Sequence, residues 1–427
     1  MPLQAALSAR LIESGLEEVA ALEFTTVPAV VWLEQTGMPI DVAGWTVLRD
    51  CARADQERLT REIAAHLPDV NLNSPRQITS ALAGLGIPVS DAQEGTLREI
   101  VNAHPVVSLL LAHKEATKRI STYGDGYLAA VHPTTGRIHA DYHQIGAETG
   151  RMACARPNLQ NIPRDPAYRS CIRPSSGRVL VKADLALIEL CAAAELAGDE
   201  RMLEAITTGQ DLHRITAAAV FRRATEDVTK EERAFGKTVN FGTLYGQGLR
   251  GLMEAAHKHG LALSETEARQ IQQRFATAWP ELAAWRHRQM RETGPVIQMP
   301  SGRKRRLDPD APGTVRANTP IQGLAADGFK AALAELWASR HHCPLAKPVL
   351  AIHDELVIEC DAADADDVAA WVAECLQTGM TRYLTRVPVR VEVTVARDWS
   401  GTQIGDGSSR AHSRGCAAPM DNVSGVA

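Results

Sequence analysis

Near its middle the chain reads Arg233-Ala-Phe-Gly-Lys237-Thr-Val-Asn-Phe241-Gly-Thr-Leu-Tyr245-Gly246, with two cations and then two aromatic rings at intervals of four residues. An α-helix has about 3.6 residues per turn, so this spacing drifts by only about 40° per step and keeps the four side chains on one face. We call Arg233, Lys237, Phe241 and Tyr245 the cation–aromatic stripe. Cations suit the phosphates of a nucleotide, and flat rings suit a sugar or a base. Taken alone, the stripe also fits an amphipathic surface helix with solvated charges.

Two acidic segments flank the stripe. Asp184-Leu-Ala-Leu-Ile-Glu189-Leu precedes it, and Ile352-His353-Asp354-Glu355-Leu-Val follows it. In this order, the three segments resemble the first carboxylate motif, the nucleotide-binding helix and the second carboxylate motif of family A DNA polymerases, the bacterial polymerase-I type. Three ordered motifs are a much more specific signal than any one of them. The resemblance runs from about residue 17 to about residue 399 and implies a template-directed DNA polymerase.

The composition is that of an ordinary globular protein. Its 427 residues are 45% hydrophobic and 23% charged, with only 4% aromatic residues, which leaves room for about two to four subdomains. The net charge is −5, so a nucleic-acid partner must be recognised by local patches rather than by bulk charge. Arg303-Lys-Arg-Arg306 is one candidate patch, and a solvated turn is the alternative interpretation.

The cysteines and the apolar runs indicate a reducing, non-membrane environment. The eight cysteines are scattered, without a Cys-x-x-Cys pair or a nearby histidine cluster, which argues against structural zinc and against a disulfide framework. The first residues lack a basic region followed by an apolar run, and no apolar run approaches the ~18 residues that span a bilayer. The sequence predicts a cytoplasmic protein.

Periodicity and cap signals predict a helix-rich α+β fold. Ser74 as N-cap, followed by Pro75 at the first helical position, is a typical helix start. The predicted helices span 16–33, 44–66, 97–120, 186–198, 230–245, 264–289 with a break at 279–280, and 320–336; the predicted strands span 178–184, 347–352, 355–359 and 388–395, and a hairpin spans 294–307.

The resemblance implies a right-hand polymerase fold with an antiparallel palm sheet, helical fingers and a helical thumb. The expected ranges are an N-terminal palm-associated segment over 1–41, the thumb over 42–122, palm over 123–198 and 316–402, and fingers over 199–315. Residues 403–427 are rich in Gly, Ser and Ala and are predicted to be a disordered tail. Since little sequence remains outside these ranges for another core, the chain is expected to lack 3′–5′ proofreading.

Carboxylates are the expected ligands of the metal cofactor. In the family, a primer 3′-hydroxyl attacks the α-phosphorus of a nucleotide with the help of two divalent cations. Mg²⁺ is a hard ion that prefers carboxylate oxygens. The resemblance therefore implies two Mg²⁺ ions held by Asp184, Asp354 and the backbone carbonyl of Leu185, with Glu355 as an outer catalytic group. A helix N-cap for Asp184 and a turn residue for Asp354 are the structural alternatives.

The cation–aromatic stripe is expected to bind the incoming deoxynucleoside triphosphate. By resemblance, Arg233 and Lys237 hold the phosphates, and Lys237 also protonates the departing pyrophosphate. Phe241 is expected to pack against the deoxyribose, and Tyr245 to stack near the template base.

Two further residues are assigned to the nucleotide by the resemblance. Glu189 is expected beneath the sugar 2′ position, where it excludes ribonucleotides by steric and electrostatic conflict. His213 is expected to contact a phosphate, with a helix-surface histidine as the alternative.

Other residues match the family's contacts with primer-template DNA. Side-chain donors can test base-pair geometry in the minor groove, because that groove presents acceptors at similar positions in every pair. The expected DNA-binding residues are Arg151, Asn158, Gln160, Asn161, Asn318, Gln322 and His353.

Some family positions are substituted in this chain. The usual Tyr-Ser-Gln after the first Asp is Leu185-Ala186-Leu187, an Arg is replaced by Cys191, and another by Thr314, although Arg316 is nearby. A catalytically inactive DNA-binding homologue is therefore kept as an alternative, and so is a single-subunit RNA polymerase, which resembles the family in fold and in the cation–aromatic stripe. Glu189 argues against the RNA polymerase, and the retained carboxylates and cations argue against the inactive homologue. The expected state is a monomer on primer-template DNA.

Overall fold

The computed structural model describes residues 2–402. In chain order its helices and strands are α1 (Pro2–Glu13), α2 (Glu17–Thr36), β1 (Met38–Pro39), α3 (Val42–Ala64), α4 (Pro75–Gly84), α5 (Glu94–Glu99), α6 (Pro105–Tyr123), α7 (Asp125–Ala129), β2 (Arg137–Ile138), β3 (Asp141–His143), β4 (Ala153–Ala155), α8 (Pro166–Arg169), β5 (Arg178–Leu185), α9 (Ile188–Ala197), α10 (Glu200–Thr207), α11 (Leu212–Phe221), α12 (Lys230–Leu244), α13 (Leu249–Lys258), α14 (Glu265–Ala278), α15 (Pro280–Arg291), β6 (Val296–Gln298), β7 (Lys304–Arg306), α16 (Gly313–Ala338), β8 (Lys347–Ile352), β9 (Glu355–Asp361), α17 (Ala365–Thr381) and β10 (Val391–Ala396).

The first of two compact units contains the main sheet. It comprises the described residues of Met1–Gly37, Ala140–Asn161 and Gly177–Val395. Its four-stranded sheet has the order β10-β5-β9-β8, in which β9 pairs antiparallel with both β5 and β8. The long helix α16 packs against α2, α9, α15 and α17, and is buried along most of its length. This arrangement makes α16 the central support of the unit.

The second unit is mainly helical. It comprises the described residues of Met38–His139, Ile162–Ser176 and Ala396–Ala427. Helix α3 packs against α6, and an aromatic cluster forms around the fully buried Trp45, whose ring stacks on Tyr127 at a centroid distance of 4.7 Å. The predicted thumb range, 42–122, lies within this unit, whereas the predicted domain boundaries themselves stay a prediction.

Most predicted elements are confirmed, and the main differences lie where helices begin. Ser74 caps α4 by accepting a hydrogen bond from the Gln77 backbone N–H. The helix predicted over 97–120 is broken, because His104 acts as an N-cap and Pro105 starts a new helix. Helix α16 begins at Gly313, seven residues before its predicted start, and contains Pro320.

Two expectations concern the ends of the chain and membranes. The tail predicted over 403–427 lies outside the described residues. Among the helices of residues 2–402, none has the length and apolarity required to cross a bilayer.

Candidate active site

A two-residue turn brings the acidic segments together at one end of the main sheet. Strand β8 ends at Ile352 and β9 begins at Glu355, so His353 and Asp354 form the connection. Across the sheet, Asp184 at the end of β5 pairs with Glu355, and the Leu185 N–H donates to the Asp354 carbonyl at 3.1 Å. Asp184 is therefore a strand residue, and its N-cap alternative is wrong, since Leu187 caps α9.

The electrostatics of this sheet end suit a divalent cation. Burial, followed by the charges of Asp354, Glu355 and Glu392, raises the pKa of Asp184 to about 6. Burial also raises the pKa of Asp354, and Glu189 adds to the effect. A bound cation stabilises the ionised form of partly buried carboxylates that repel one another. Mg²⁺ commonly binds through one or two carboxylates plus substrate phosphates. The donors present therefore fit the predicted Mg²⁺ ions.

Helix α12 presents three members of the cation–aromatic stripe to one open groove. Thr229 and Glu232 form a reciprocal capping box that fixes where α12 begins. The groove is lined by Arg233, Lys237, Phe241, Ala234, Thr238, Gly242, Gln247 and His259. Tyr245 lies one residue beyond the helix as its C-cap, and its ring is nearly parallel to that of Phe241, at a centroid distance of 6.4 Å. Arg233, Lys237 and Phe241 therefore share one groove, and Tyr245 continues the stripe just beyond the end of the helix.

Asp211 connects the stripe to the helix that carries His213. It caps α11 by accepting from the N–H groups of His213 and Arg214 at 3.0 and 3.1 Å. Its other carboxylate oxygen accepts from Arg233 Nε at 2.5 Å. The sequence predicts a helix starting at Asp211, because aspartate is a common N-cap, and the structure confirms it; the pairing of Asp211 with Arg233 was not predicted.

His213 is buried rather than exposed. Only 2% of its surface is accessible, so the helix-surface alternative is wrong. Its ring lies 5.7 Å from that of Phe241, and its Nδ1 is 2.9 Å from Asn240 Nδ2. Burial, together with the charges of Arg233 and Lys237 and against that of Asp211, lowers the pKa of His213 to about 4. The imidazole is therefore neutral at physiological pH.

Glu189 is held by two partners. It lies in the first turn of α9 and is buried. One carboxylate oxygen accepts from the Arg151 guanidinium, and the other accepts from the Tyr245 hydroxyl. Burial, and then the hydrogen bond to Glu189, raise the pKa of Tyr245, so the phenol stays protonated and remains a donor. Glu189 is thereby fixed between the segment of Arg151 and the end of the stripe.

The predicted DNA-binding residues are only partly brought together. A small pocket is lined by Arg151, Gln160, His353 and Asp354, with Met152, Ile188, Ala325, Ala326, Phe329 and Ala351. Asn158 instead accepts from the Gln160 backbone N–H at 3.0 Å, which orders the local chain. Asn318 and Gln322 are one turn apart on α16, and Asn318 Oδ1 is buried without a hydrogen-bond partner among the described residues. The structure does not place Asn161 in this pocket.

Two basic residues have other roles than the sequence predicted. Arg303, from the candidate basic patch, is buried and pairs with Asp327 and Glu23. Both the DNA-patch and the solvated-turn interpretations are therefore wrong for this residue. Arg316 is buried and donates to the Gly294 carbonyl at 2.6 Å.

Apolar packing replaces polar groups at the substituted positions. Leu185 and Cys191 are buried, and burial raises the pKa of the Cys191 thiol to about 12. Gly246, at a φ of +79°, packs so closely on Thr314 that a Cβ would lie 2.2 Å from its methyl carbon. These contacts leave Asp184, Asp354 and the stripe in place.

Known proteins are similar in sequence to most of this chain. DNA polymerase I of Thermus filiformis, a thermostable enzyme, is 34% identical over 401 residues, which are 86% of this chain and 46% of that protein. DNA polymerase I of Aquifex aeolicus is 32% identical over 399 residues, covering 90% of this chain and 67% of that protein. The chain thus spans about half the length of the Thermus relative.

A solved structure has the same fold. The POL domain of Pol1 from M. smegmatis, in complex with DNA primer-template and dNTP, superposes with a TM-score of 0.86 at 26% identity, covering 93% of this chain and 74% of that one. This match confirms the predicted helix-rich right-hand polymerase fold. The sequence pattern of DNA polymerase family A extends over residues 46–401. Together with the carboxylates at the sheet end and the groove of α12, this match shows that the chain belongs to DNA polymerase family A.

Proposed function

We propose that this chain is a template-directed DNA polymerase that adds deoxynucleotides to a primer 3′-hydroxyl. The observation that carries the proposal is the pair of desolvated carboxylates, Asp184 and Asp354, at the end of the main sheet. The cation–aromatic groove lies in the same compact unit. The M. smegmatis relative was solved with DNA primer-template and dNTP, which supports the same ligands here.

Family membership implies a divalent metal cofactor, and the donors favour Mg²⁺. Two ions held by Asp184, Asp354 and the Leu185 carbonyl would lower the pKa of the primer hydroxyl and neutralise the leaving pyrophosphate. Glu355 is directly opposite Asp184 in the sheet, where it adds negative charge around the site without being a required ligand.

The groove residues bind and orient the nucleotide. Arg233 and Lys237 hold the phosphates by charge-assisted hydrogen bonds, and Lys237 Nζ carries a proton that the departing pyrophosphate can accept. Phe241 offers its ring face to the deoxyribose, and Tyr245 extends the stack toward the template base. His213 donates a neutral hydrogen bond to a phosphate.

Glu189 selects deoxyribose over ribose. Arg151 and Tyr245 hold its carboxylate in one position, so a 2′-hydroxyl placed against it meets a fixed, already hydrogen-bonded group. On the DNA side, the proposed contacts are Arg151, Asn158, Gln160, Asn161, Asn318, Gln322 and His353.

The proposal also covers the oligomeric state, the absence of exonuclease activity and the cellular compartment. We propose that the chain acts as a monomer, and that residues 1–427 have no 3′–5′ exonuclease activity, because the polymerase family accounts for 46–401. The cysteines of residues 2–402 form no disulfide, as is typical of a reducing compartment such as the cytoplasm.

Primer extension tests the function and its metal site together. Asp184→Asn and Asp354→Asn should each abolish nucleotide addition with Mg²⁺, because an amide is a poor magnesium ligand, while binding of a labelled primer-template is retained. Glu392→Gln is the matched control, since Glu392 acts on Asp184 only through its charge and should leave extension intact.

The same assay separates the alternatives. Extension with ribonucleotides in preference to deoxynucleotides would identify an RNA polymerase. DNA binding without any extension would identify an inactive homologue. Near-wild-type extension by either Asp→Asn variant would refute the proposed metal ligands.

A further inference from the structure

A buried chain of hydrogen bonds leads from Trp279 to His213. Trp279 Nε1 lies 3.0 Å from Thr216 Oγ1, and Thr216 Oγ1 lies 2.7 Å from Asn240 Oδ1. Asn240 Nδ2 then lies 2.9 Å from His213 Nδ1. Each of these four side chains is at most 2% exposed. We call Trp279, Thr216, Asn240 and His213 the His213 relay.

The Leu212 carbonyl gives the relay one consistent direction. An indole N–H can only donate, so Thr216 Oγ1 accepts from Trp279, and its own proton remains available to Asn240 Oδ1. The Asn240 amide nitrogen also faces the Leu212 carbonyl at 3.4 Å, and a carbonyl can only accept. The Leu212 carbonyl thus fixes the orientation of the amide, with its N–H groups toward Leu212 and His213 and its Oδ1 toward the Thr216 hydroxyl. His213 Nδ1 must accept, which leaves the ring proton on Nε2.

We propose that Asn240, Thr216 and Trp279 are positioning residues that hold His213 as a neutral imidazole with its proton on Nε2, so that it gives the nucleotide phosphates a hydrogen bond instead of a third positive charge. The functional part of this inference rests on the proposed polymerase activity. The tautomer itself follows from the relay.

The charges around His213 agree with a neutral ring. Asp211 precedes it on the same helix start and raises its pKa, whereas Arg233 and Lys237 on α12 lower it. From the side of α14 the relay contributes only the uncharged Trp279. Burial is the largest influence and keeps the pKa at about 4. Neither phosphate-binding cation therefore has to compete with an imidazolium.

Nitrogen NMR on the full chain, with ¹⁵N-labelled histidine, reads the tautomer directly. His213→Gln assigns the signals. In the wild type we expect His213 to show a bare Nδ1 and a protonated Nε2 from about pH 5 to about pH 8. Asn240→Asp replaces the donor by an acceptor, so the proton should move to Nδ1 and the ring should titrate near neutral pH. Gln273→Glu, on the exposed side of α14, is the charge-matched control.

Steady-state kinetics provides the functional readout. In Asn240→Asp, Nε2 loses its proton as the pH rises through the new pKa, so KM for the deoxynucleotide should rise about tenfold or more, with a smaller change in kcat. The wild type and Gln273→Glu should lack this inflection. Adding His213→Gln to Asn240→Asp should remove it, because a glutamine amide donates at every pH.

Several outcomes would overturn the inference. A proton on Nδ1 in the wild type contradicts the relay outright, and so does an unchanged tautomer in a folded Asn240→Asp. If that variant fails to fold, Asn240→Ala takes its place: it removes the donor to His213 Nδ1 and should give mixed tautomers, whereas Thr216→Ser, which keeps both the hydroxyl and Asn240, should not. A chain that is inactive on primer-template but shows the expected NMR signals would refute the proposed function and leave the relay standing.

Discussion

The partly buried carboxylate of Asp184, surrounded by other acidic residues, makes the stability of the protein depend on pH. Its pKa is raised to about 6, first by burial and then by Asp354, Glu355 and Glu392, whereas an unfolded aspartate titrates at about 3.9. The native state therefore binds this proton more tightly than the unfolded state. By linkage, the contribution of Asp184 to stability is greatest below about pH 4 and is lost as the pH rises through about 6.

We expect Asp184→Asn to be more stable than the wild type in metal-free buffer at about pH 8. The gain in free energy of unfolding is at most about 3 kcal/mol, because solvent screening at this partly buried site reduces it. The difference should disappear below about pH 4, and Mg²⁺ should raise the melting temperature of the wild type more than that of the variant. Scanning calorimetry, with the exposed Asp308→Asn as control, measures both effects; a less stable variant at pH 8 would contradict the assignment.

The second residue-scale prediction concerns sugar selection. Tyr245→Phe removes one of the two donors that hold Glu189, so the carboxylate should yield more easily to a 2′-hydroxyl. A hydrogen bond to a charged group contributes about 1.5–3 kcal/mol; since Arg151 still holds the other oxygen, we expect discrimination against ribonucleotides to fall by about tenfold.

The ratio of kcat/KM for a deoxynucleotide and its ribonucleotide measures this effect. Glu189→Ala should lower this ratio further than Tyr245→Phe does. Tyr383→Phe, the same change after the end of α17, should leave the ratio unaltered. Unchanged selectivity in both site variants would remove Glu189 from the proposed role.

At the scale of elements, one buried arginine ties a hairpin to two helices. Arg303, in the turn between β6 and β7, donates to Asp327 on α16 with Nε at 2.9 Å and Nη2 at 2.6 Å, and its Nη2 also bonds to Glu23 on α2. Lys330 shares Glu23 at 2.5 Å. Gly150, at a φ of +87°, packs directly on the Arg303 guanidinium, so the segment that presents Arg151 is supported by the same network.

Breaking this network should be far more damaging than breaking a surface pair. Asp327→Asn leaves the Arg303 charge under-compensated in a buried position, and we expect the free energy of unfolding to fall by about 3 kcal/mol. Glu148→Gln removes the exposed partner of Arg305 and should have an effect below about 1 kcal/mol. Urea denaturation of the two variants tests the contrast, and equal losses would contradict it.

Elements with local signals were predictable from sequence. The Ser74-Pro75 start of α4 and the strand ending at Asp184 depend on residues adjacent in the chain. The early start of α16 was not predictable, because the burial of its first turns comes from tertiary packing, which outweighs the usual boundary signal of Pro320. The break before Pro105 was readable in principle, since His104 and Pro105 form a helix-start pair.

The parts of the site whose residues lie close together in the sequence, at a regular spacing, were predictable. The stripe on α12 and the turn containing Asp354 are of this kind. The proposed positioning role of Asn240 was missed, although this residue lies within the stripe's own stretch, because its partners Thr216 and His213 are distant in sequence. Arg303 was misinterpreted for the same reason: its partners Glu23 and Asp327 lie on separate helices, and a run of basic residues normally indicates an exposed surface.

At the scale of the whole molecule, the match to DNA polymerase family A covers residues 46–401, and the proposed polymerase activity is the one activity that this family assigns to them. We therefore expect a pure polypeptide of these 427 residues to leave single-stranded, 3′-labelled DNA intact in the presence of Mg²⁺ without nucleotides. Gel analysis over a time course checks this, with Asp184→Asn as a parallel sample. Progressive shortening in both samples would show a second active site that the proposal lacks.

The pairing of Asp184 with Glu355 also limits how this protein can change in length. Side chains alternate between the two faces of a strand, so one inserted or deleted residue in β9 turns every later side chain to the opposite face. In β5, inserting one glycine after Val181 should in the same way turn Asp184 to the opposite face and abolish primer extension although no functional residue is altered, whereas the same insertion among the exposed residues 224–227 should be tolerated. Across natural relatives, residue number should be invariant along β5 and β9 and free to drift in such connections.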